Sequence, residues 1–185
     1  MKVICISGKA QHGKDTTAGY LKEFLEARGK KVLIAHYGDL VKYVCKTFFD
    51  WDGQKDEAGR TLLQKVGTDV VRAKDPDYWV NFICEMLWFF YDEWDYVLIP
   101  DCRFPNEIDY IDKRFADVTH VRVVRDNPNW TSPLTEEQQK HLSETALDNW
   151  YHHGTIMVHN REGLDELKQV VERLVDIHLE DGDES

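Results

Sequence analysis

The stretch GKAQHGKDTT, residues 8–17, decides the fold because of what stands on either side of it. An apolar run typical of a buried strand precedes it, and apolar residues at helical spacing follow it. A strand, a turn with two glycines and a helix, in that order, nearly match the pattern G-x-x-x-x-G-K-[ST]. Gly8 and Gly13 allow backbone amides to face phosphate oxygens, and Lys14 adds a full positive charge. The sequence therefore predicts a phosphate-binding loop, and the alternative is an ordinary turn with two chance glycines.

One residue departs from this pattern. Asp15 follows the lysine, where loops that end in G-K-[ST] carry the hydroxyl that ligates Mg²⁺ directly. The hydroxyl comes one position later, at Thr16, as it does in the G-K-G-T loops of adenylate kinases. The Asp15 carboxylate either caps the helix that follows or faces Mg²⁺ through water, and both possibilities remain open. The departure points away from the GTPases.

Composition excludes several classes of function. The 185 residues fit one domain, and a formal net charge of −11 argues against binding of nucleic acid or of an anionic membrane, which requires a basic face. A small phosphorylated ligand needs only a few convergent cations. The four cysteines form no C-x-x-C pair, and no apolar run reaches the length of a membrane span. We therefore expect a soluble cytoplasmic domain over residues 1–179, followed by an acidic tail over 180–185.

Apolar patterns divide the chain into alternating strands and helices. Strands are predicted to begin near residues 2, 32, 96, 119 and 155, with helices in the intervals. Strands that alternate with helices imply an α/β fold, here a P-loop parallel sheet of about five strands with helices on both faces. Ligands of such sheets bind at the carboxyl ends of the strands, where the loop at 8–17 also lies.

Four local features of the helices are predicted as well. Asp39 is expected to cap the helix after the second strand. The next helical stretch, from Arg60, is expected to break at Gly67-Thr68. Pro76, in the sequence Asp-Pro-Asp, is expected to lie in the first turn of the helix after that. The aromatic residues within 79–94 mostly follow helical spacing, so we expect them to pack in the core.

A second set of chemical groups ends the third predicted strand. Asp101 stands where a Walker-B-like acid holds Mg²⁺ or its waters. Arg103 follows two residues later and can form a bidentate contact with a second phosphate. The alternative is that Asp101 caps the helix near Pro105 and that Arg103 makes a surface ion pair. Beside a phosphate-binding loop, this alternative is the weaker interpretation.

Further segments complete a wider pattern. They are, in chain order, RTLLQKVGTDVVR at 60–72, DYWV at 77–80, DCRFPNE at 101–107, HLSE at 141–144, ALD at 146–148, IMVHN at 156–160 and GLDEL at 163–167. Together with the loop, they resemble the deoxynucleoside monophosphate kinases of bacteriophages, and the likeness covers most of the chain in order. The stretch similar to D-x-R-F-x-N-E is more discriminating than the G-K-D-T loop, which phosphomevalonate kinases share.

This resemblance implies an enzyme that uses ATP and Mg²⁺ to transfer the γ-phosphoryl group to a deoxynucleoside 5′-monophosphate. It implies a core like that of the nucleoside monophosphate kinases, within one domain over 1–179. An acceptor-binding region is implied over about 38–79, and a closing lid over about 126–150. It further implies small-molecule nucleotides as the partners, a homodimer as one possible assembly, and the cytoplasm of a host cell if the protein is encoded by a phage.

Site residues are carried over from the resemblance in four groups. Catalysis is assigned to Lys14, Asp101, Arg103 and Arg125. Binding of ATP is assigned to Gly8, Lys9, Ala10, Gln11, His12, Gly13, Lys14, Asp15, Thr16, Thr17 and Arg161. Binding of the acceptor is assigned to Asp39, Lys42, Arg60, Gln64, Arg72, Trp79, Arg103 and Glu107. Binding of Mg²⁺ is assigned to Asp15, Thr16 and Asp101.

Two alternatives stay open at this point. The lid arginines of such kinases often clamp the transferring phosphoryl group, but the segment 127–159 contains no arginine. The substitute cation is Arg122, Arg125, Lys140 or Arg161. The function itself has two rivals: phosphorylation of another small molecule, as in phosphomevalonate or dephospho-coenzyme A kinases, and nucleotide binding without catalysis.

Overall fold

A five-stranded sheet forms the centre of the protein. Its strands are β1 (Lys2–Ser7), β2 (Val32–Ile34), β3 (Tyr96–Cys102), β4 (Val118–Val124) and β5 (Ile156–His159). They lie in the order β2-β3-β1-β4-β5, and each neighbouring pair is parallel. The structure is a computed structural model that describes residues 1–179, so the expected acidic tail over 180–185 lies outside the described residues.

Helices cover both faces of the sheet, which confirms the predicted fold class. They are α1 (Lys14–Ala27), α2 (Gly38–Phe48), α3 (Glu57–Gln64), α4 (Tyr78–Phe89), α5 (Pro105–Arg114), α6 (Glu136–Lys140), α7 (Leu142–Thr145) and α8 (Leu164–His178). Within residues 1–179, none of these helices has both the length and the apolar character needed to cross a membrane.

The central strand β1 explains why the core has two layers. Its side chains alternate in direction, so Val3 and Cys5 face one side of the sheet and Ile4 and Ile6 face the other. All four are fully buried. The first layer contains residues of α2, α4 and α5, and the second layer contains residues of α1 and α8. Burial on both faces is why the sequence of β1 is a continuous apolar run rather than an alternating one.

The register of the sheet brings three strand ends together. Ser7, the last residue of β1, pairs with Cys102 of β3 on one side and with Arg122 of β4 on the other. The loop that follows β1 therefore begins beside the segments that follow β3 and β4. This edge of the sheet is where a parallel α/β fold places its ligands.

All four cysteines lie in the first layer. Cys5, Cys45, Cys84 and Cys102 are free thiols, and each is at most 1% exposed. Burial raises the pKa of Cys84 to about 12 and raises those of Cys45 and Cys102 as well. The thiols therefore pack as small apolar side chains.

The expected helix break at Gly67 was wrong. Helix α3 continues directly into a π-helical segment, Lys65–Arg72. A Cβ on Gly67 would lie 3.2 Å from Cγ1 of Val41 in α2. The Gly67 carbonyl oxygen also accepts a hydrogen bond of 2.9 Å from Nε1 of Trp79. The glycine permits two helices to pack closely and does not end one of them.

Helix α4 begins later and buries less than the sequence predicts. It begins at Tyr78, because Asp75 Oδ1 accepts a hydrogen bond of 3.1 Å from the amide of Asp77 and holds Pro76 in a turn before the helix. One face of α4 packs in the first layer. Phe82, Trp88 and Phe89 of α4, and Phe90 directly after it, are between 45% and 74% exposed. The expectation of core packing was wrong for these four.

Gly59 offers a test of the packing at the start of α3. A Cβ at this position would lie 2.0 Å from the carbonyl oxygen of Gln54 and 2.8 Å from Nε1 of Trp51. We expect Gly59→Ala to lower the free energy of unfolding by about 1–3 kcal/mol, because the backbone must shift. Gly19 in α1 faces open space, so Gly19→Ala should raise it by about 0.5–1 kcal/mol. Urea unfolding measures both, and a Gly59→Ala protein as stable as wild type would contradict the packing.

Candidate active site

The loop between β1 and α1 has a conformation that requires glycine. Gly8 has a φ of 144° and Gly13 a φ of 108°. A Cβ on Gly8 would lie 2.4 Å from the carbonyl oxygen of Val123 in β4. Gly13 is the residue at the N-terminal cap of α1, and no side chain caps this helix. The first amides of α1 are therefore left to an anion, as the phosphate-loop interpretation predicts.

Lys14 lies inside this loop. The residue is 6% exposed, and Nζ donates a hydrogen bond of 2.9 Å to the carbonyl oxygen of Lys9. Desolvation by burial, followed by the positive charge of Arg103, lowers the pKa of Lys14 to about 8. The nearby carboxylate of Glu144 opposes this shift. The Lys14 ammonium therefore lies at the centre of the loop, and its hydrogen bond to Lys9 leaves two of its N–H groups for a phosphate.

The interpretation of Asp15 as the cap of α1 was wrong, because no side chain caps this helix. The interpretation that Asp15 faces Mg²⁺ through water stays a prediction. Asp15 Oδ1 lies 3.1 Å from Nε2 of His36, two residues after the end of β2. This hydrogen bond lowers the pKa of Asp15 and raises that of His36. His36 Nδ1 in turn lies 3.7 Å from Asp39, whose other oxygen accepts a hydrogen bond of 2.7 Å from Lys42. Sequence reasoning missed His36, although a polar residue directly after a predicted strand was a usable signal.

Asp101 caps α2 from a different element. Its two oxygens accept hydrogen bonds from the amides of Tyr37 (3.1 Å) and Gly38 (2.7 Å). The expectation that Asp39 caps this helix was wrong, because Asp39 lies within the first turn and the free amides point at the end of β3. Burial raises the pKa of Asp101, although the hydrogen bond from Gly38 opposes the shift.

Arg103 follows β3 and is held by two glutamates. Its amide donates a hydrogen bond of 2.6 Å to Glu107, and the same oxygen of Glu107 accepts one of 3.0 Å from the amide of Phe104. Its Nη1 donates to the carbonyl oxygen of Ser143 (3.2 Å) and to the carboxylate of Glu144. The Glu144 side chain is only 4% exposed. The alternative of a surface ion pair was therefore wrong for Arg103.

The segment 143–148 lies against both the loop and Arg103. Glu144 Oε2 accepts a hydrogen bond of 2.9 Å from the amide of Ala10, and Asp148 Oδ2 accepts one of 2.9 Å from Nζ of Lys9. Nη1 of Arg122 donates to the carbonyl oxygen of Leu147 (2.7 Å). These contacts surround a cavity of about 130 Å³. Sequence reasoning assigned neither acid to the site, although the quoted segments HLSE at 141–144 and ALD at 146–148 contain them.

Two of the predicted acceptor residues support the turn that carries Arg103. Nη2 of Arg72 forms an ion pair with Glu107, and its guanidinium carbon lies 4.0 Å from the centre of the Phe104 ring. Burial raises the pKa of Glu107 to about 6, against the opposing charge of Arg72. Trp79 is 3% exposed, and its indole N–H donates a hydrogen bond to the carbonyl oxygen of Gly67. These side chains pack inside the fold and do not face the cavity.

Other predicted residues lie on α3 or beside the loop. Nε of Arg60 donates to the carbonyl oxygen of Lys55 (2.9 Å), and Nε2 of Gln64 donates to that of Gln138 (3.4 Å). Thr16 lies in the first turn of α1, and Thr17 Oγ1 is buried with no hydrogen-bond partner among the described residues.

The four candidate cations for phosphoryl clamping occupy different places. The amide of Arg125 donates to Nδ1 of His12 in the loop (3.2 Å), and its guanidinium lies over the ring of Trp130. Arg122 lines the cavity described above. Nε of Arg161 pairs with Asp126 at 2.9 Å. Lys140 is 80% exposed and pairs only with Glu136 of its own helix among the described residues, at 3.7 Å. Arg122 and Arg125 are therefore the two that lie at the loop.

Known proteins are similar to part of this sequence, and others have a similar fold. The deoxynucleotide monophosphate kinase of Escherichia phage RB69 is 30% identical over 118 residues, which cover 63% of this chain and 44% of that protein. The enzyme of the same name from Enterobacteria phage T4 is 31% identical over 110 residues, 58% of this chain and 41% of its own length. The chain thus matches less than half the length of these relatives.

Among solved structures, an unliganded sugar kinase from Janibacter sp. HTCC2649 superposes with a TM-score of 0.59. It covers 95% of this chain and 93% of its own, at 11% identity, which shows a shared fold and no more. The sequence model of the deoxynucleotide monophosphate kinases matches residues 43–171, well over half of the chain. The chain therefore belongs to the deoxynucleotide monophosphate kinase family.

Proposed function

We propose that this protein transfers the γ-phosphoryl group of ATP to a deoxynucleoside 5′-monophosphate. One observation carries the proposal: the loop that holds Lys14 and the turn that holds Arg103 follow adjacent strands and border one cavity. Two cationic groups at neighbouring strand ends suit two phosphorylated ligands that meet across one crevice. Membership of the family supports a deoxynucleotide as the acceptor.

The donor nucleotide is assigned to the loop. The free amides of α1 and the ammonium of Lys14 face the β- and γ-phosphates in this assignment, and Arg125 beside His12 adds a further charge. Phosphoryl transfer needs little covalent help from the protein. It needs alignment and neutralisation of the charge on the phosphate oxygens, and fixed donors supply both at small reorganisation cost.

The acceptor phosphate is assigned to Arg103. Its planar guanidinium suits a terminal phosphate, which can accept two parallel hydrogen bonds from it. Arg72 and Glu107 then act as supports that fix the turn around Arg103, and Trp79 packs against the Gly67 segment of the same region. Among the residues assigned to the acceptor, Asp39, Lys42, Arg60 and Gln64 remain candidates for contact with the sugar or the base, within the region 38–79.

Mg²⁺ fits Asp15 and Thr16 better than Asp101. The Asp15 side chain is 80% exposed at the start of α1, whereas both oxygens of Asp101 already accept backbone amides. Mg²⁺ in kinases commonly takes one or two carboxylates together with phosphate oxygens. Within residues 1–179, no group of three or more His, Cys, Asp or Glu side chains has an arrangement that would hold a metal alone. Bound Mg²⁺ would neutralise phosphate charge, and Asp101 remains a candidate to hold Mg²⁺ or its waters.

The segment 126–150 is proposed as the lid that excludes water during transfer. Its helix α6 contacts the acceptor region, since Nε2 of Gln138 donates to the carbonyl of Glu57 (3.2 Å) and to Oγ1 of Thr61 (3.3 Å). His141 Nε2 lies 3.2 Å from Asp69 in the same region. A lid that touches the acceptor region supports coupled closure of the two. A homodimer and a cytoplasmic location stay predictions.

A screen of acceptors tests the proposed function. With ATP and Mg²⁺, ADP release should depend on an added deoxynucleoside monophosphate, and Lys14→Ala should lower the rate by about 10²–10³-fold because it removes a preorganised charge. The Lys14→Ala protein also controls for a contaminating kinase. Transfer to phosphomevalonate or dephospho-coenzyme A instead, or to none of the acceptors, would contradict the proposal.

The pH dependence of kcat/KM for ATP should follow the loss of the proton from Lys14. Because the pKa of Lys14 is lowered to about 8, its charge is present below that pH and is lost above it. We expect kcat/KM for ATP, which reports the free enzyme, to fall about tenfold per pH unit above about pH 8. Lys14→Arg should remove this fall, since a guanidinium stays charged. An identical inflection in the arginine variant would assign the titration to another group.

Substitution of Arg103 should separate the two substrates. We expect Arg103→Ala to lower kcat/KM for the deoxynucleoside monophosphate by about 10–100-fold, the effect of losing a charge-assisted contact, and to change KM for ATP far less. Arg103→Lys should restore only part of the loss, because an ammonium makes no bidentate contact. Steady-state kinetics with each substrate varied in turn measures this. Equal losses in kcat/KM for both substrates would instead indicate that Arg103 contacts the transferring γ-phosphoryl group.

A further inference from the structure

Glu144 joins the two halves of the proposed site. One of its oxygens accepts the amide of Ala10 in the phosphate loop at 2.9 Å, and the other is paired with Nη1 of Arg103. In the sequence, Ala10 lies 134 positions from Glu144 and Arg103 lies 41 positions from it. The Glu144 side chain is 4% exposed, although Leu142 in the same short helix is 57% exposed. A single buried carboxylate therefore connects the donor loop to the proposed acceptor arginine.

A carboxylate in this position is costly unless its charge is compensated. Burial of a carboxylate without partners is strongly unfavourable, and one guanidinium contact with one amide contact compensates for it. The pair with Glu144 uses only Nη1 of Arg103, which also donates to the carbonyl of Ser143. Nε and Nη2 have no hydrogen-bond partner within the described part of the chain. That edge of the guanidinium stays available to a phosphate.

Charge gives a second reason for a carboxylate here. Lys14 and Arg103 are close enough that the positive charge of Arg103 contributes to the lowered pKa of Lys14, and Glu144 acts in the opposite direction. Two cations that meet across a narrow crevice repel each other. Glu144 lies between the loop and Arg103 and offsets this repulsion when no phosphate is bound.

We propose that Glu144 is a positioning residue for phosphoryl transfer. It fixes the guanidinium of Arg103 relative to the loop, so that the acceptor phosphate held by Arg103 lies in line with the γ-phosphoryl group held by the loop. This role rests on the proposed function. It predicts a loss in the transfer step rather than in nucleotide binding, because alignment is what Glu144 supplies and a small misplacement of reacting groups costs about 100-fold.

Glu144→Gln is the main variant, because it keeps the size of the side chain and removes its charge. We expect kcat to fall by about 10–100-fold while KM for ATP changes less than threefold. Glu136→Gln is the matched control: it is the same substitution, in the same lid, at a side chain that is 90% exposed. It should leave kcat and both KM values unchanged. Thermal unfolding and titration with ADP, followed by tryptophan fluorescence, check that Glu144→Gln is folded and binds nucleotide.

A double-mutant cycle separates positioning from general loss of structure. If Glu144 acts through Arg103, then Glu144→Gln should cost little further activity in an Arg103→Ala background, and the two effects should be far from additive. Additive losses in kcat would overturn the proposal, since Glu144 would then act independently of Arg103. The same holds for a Glu144→Gln protein that no longer binds ADP, which would make Glu144 a structural residue of the loop.

One further outcome would show that Glu144 hinders binding of ATP and does not assist the transfer step. Tighter binding of ATP with unchanged kcat in Glu144→Gln would show that the carboxylate merely stands in for a phosphate in the free protein, and would overturn positioning. The wild-type protein separates this proposal from the one on which it rests. A wild type that phosphorylates no deoxynucleoside monophosphate overturns both, whereas an active wild type with an equally active Glu144→Gln overturns only the role of Glu144.

Discussion

The central position of β1 is the constraint on which the rest of the structure depends. Hydrogen bonds tie β1 to β3 on one side and to β4 on the other, so the carboxyl ends of three strands meet at one edge. The loop with Lys14, the turn with Arg103 and the strand with Arg122 are neighbours for this reason. A slip of one residue in β1 would exchange the two faces of the strand and move the loop with it. Its four fully buried apolar side chains, two on each face, make that slip costly.

Two buried carboxylates, Glu107 and Glu144, and the half-buried carboxylate of Asp101 organise the site in an acidic protein. Asp101 accepts two amides at the start of α2, Glu107 accepts two amides at the turn after β3, and Glu144 accepts one amide of the loop. Two of these three acids also pair with an arginine. The formal net charge of the protein is −11. In the site, however, the three acids bind backbone amides and arginines of the protein itself, and Lys14 and Arg103 can therefore bind phosphates.

Local patterns predicted the elements, whereas long-range partners could not be predicted. The loop at 8–17 and the five strands follow from glycine spacing and apolar runs, which act over a few residues. The partner of Asp101 depends on how β3 lies against α2, 63 positions away in sequence. Glu144 was visible as part of a motif, but its contact with Ala10 depends on the packing of the segment 143–148. Helical spacing predicts that Trp79 faces inward, and it does not distinguish the core from a ligand.

The distribution of the cysteines gives the protein a built-in chemical reporter. All four thiols belong to the first layer, with α2, α4 and α5, and none is found in the second layer. An alkylating reagent can reach them only when that layer opens, so the labelling rate measures the free energy of opening on one side of the sheet. The same layer includes α2, the helix that Asp101 caps, and Cys102, the residue directly before Arg103. Labelling with and without a bound nucleotide would therefore show how strongly ligand occupancy restrains the acceptor side of the molecule.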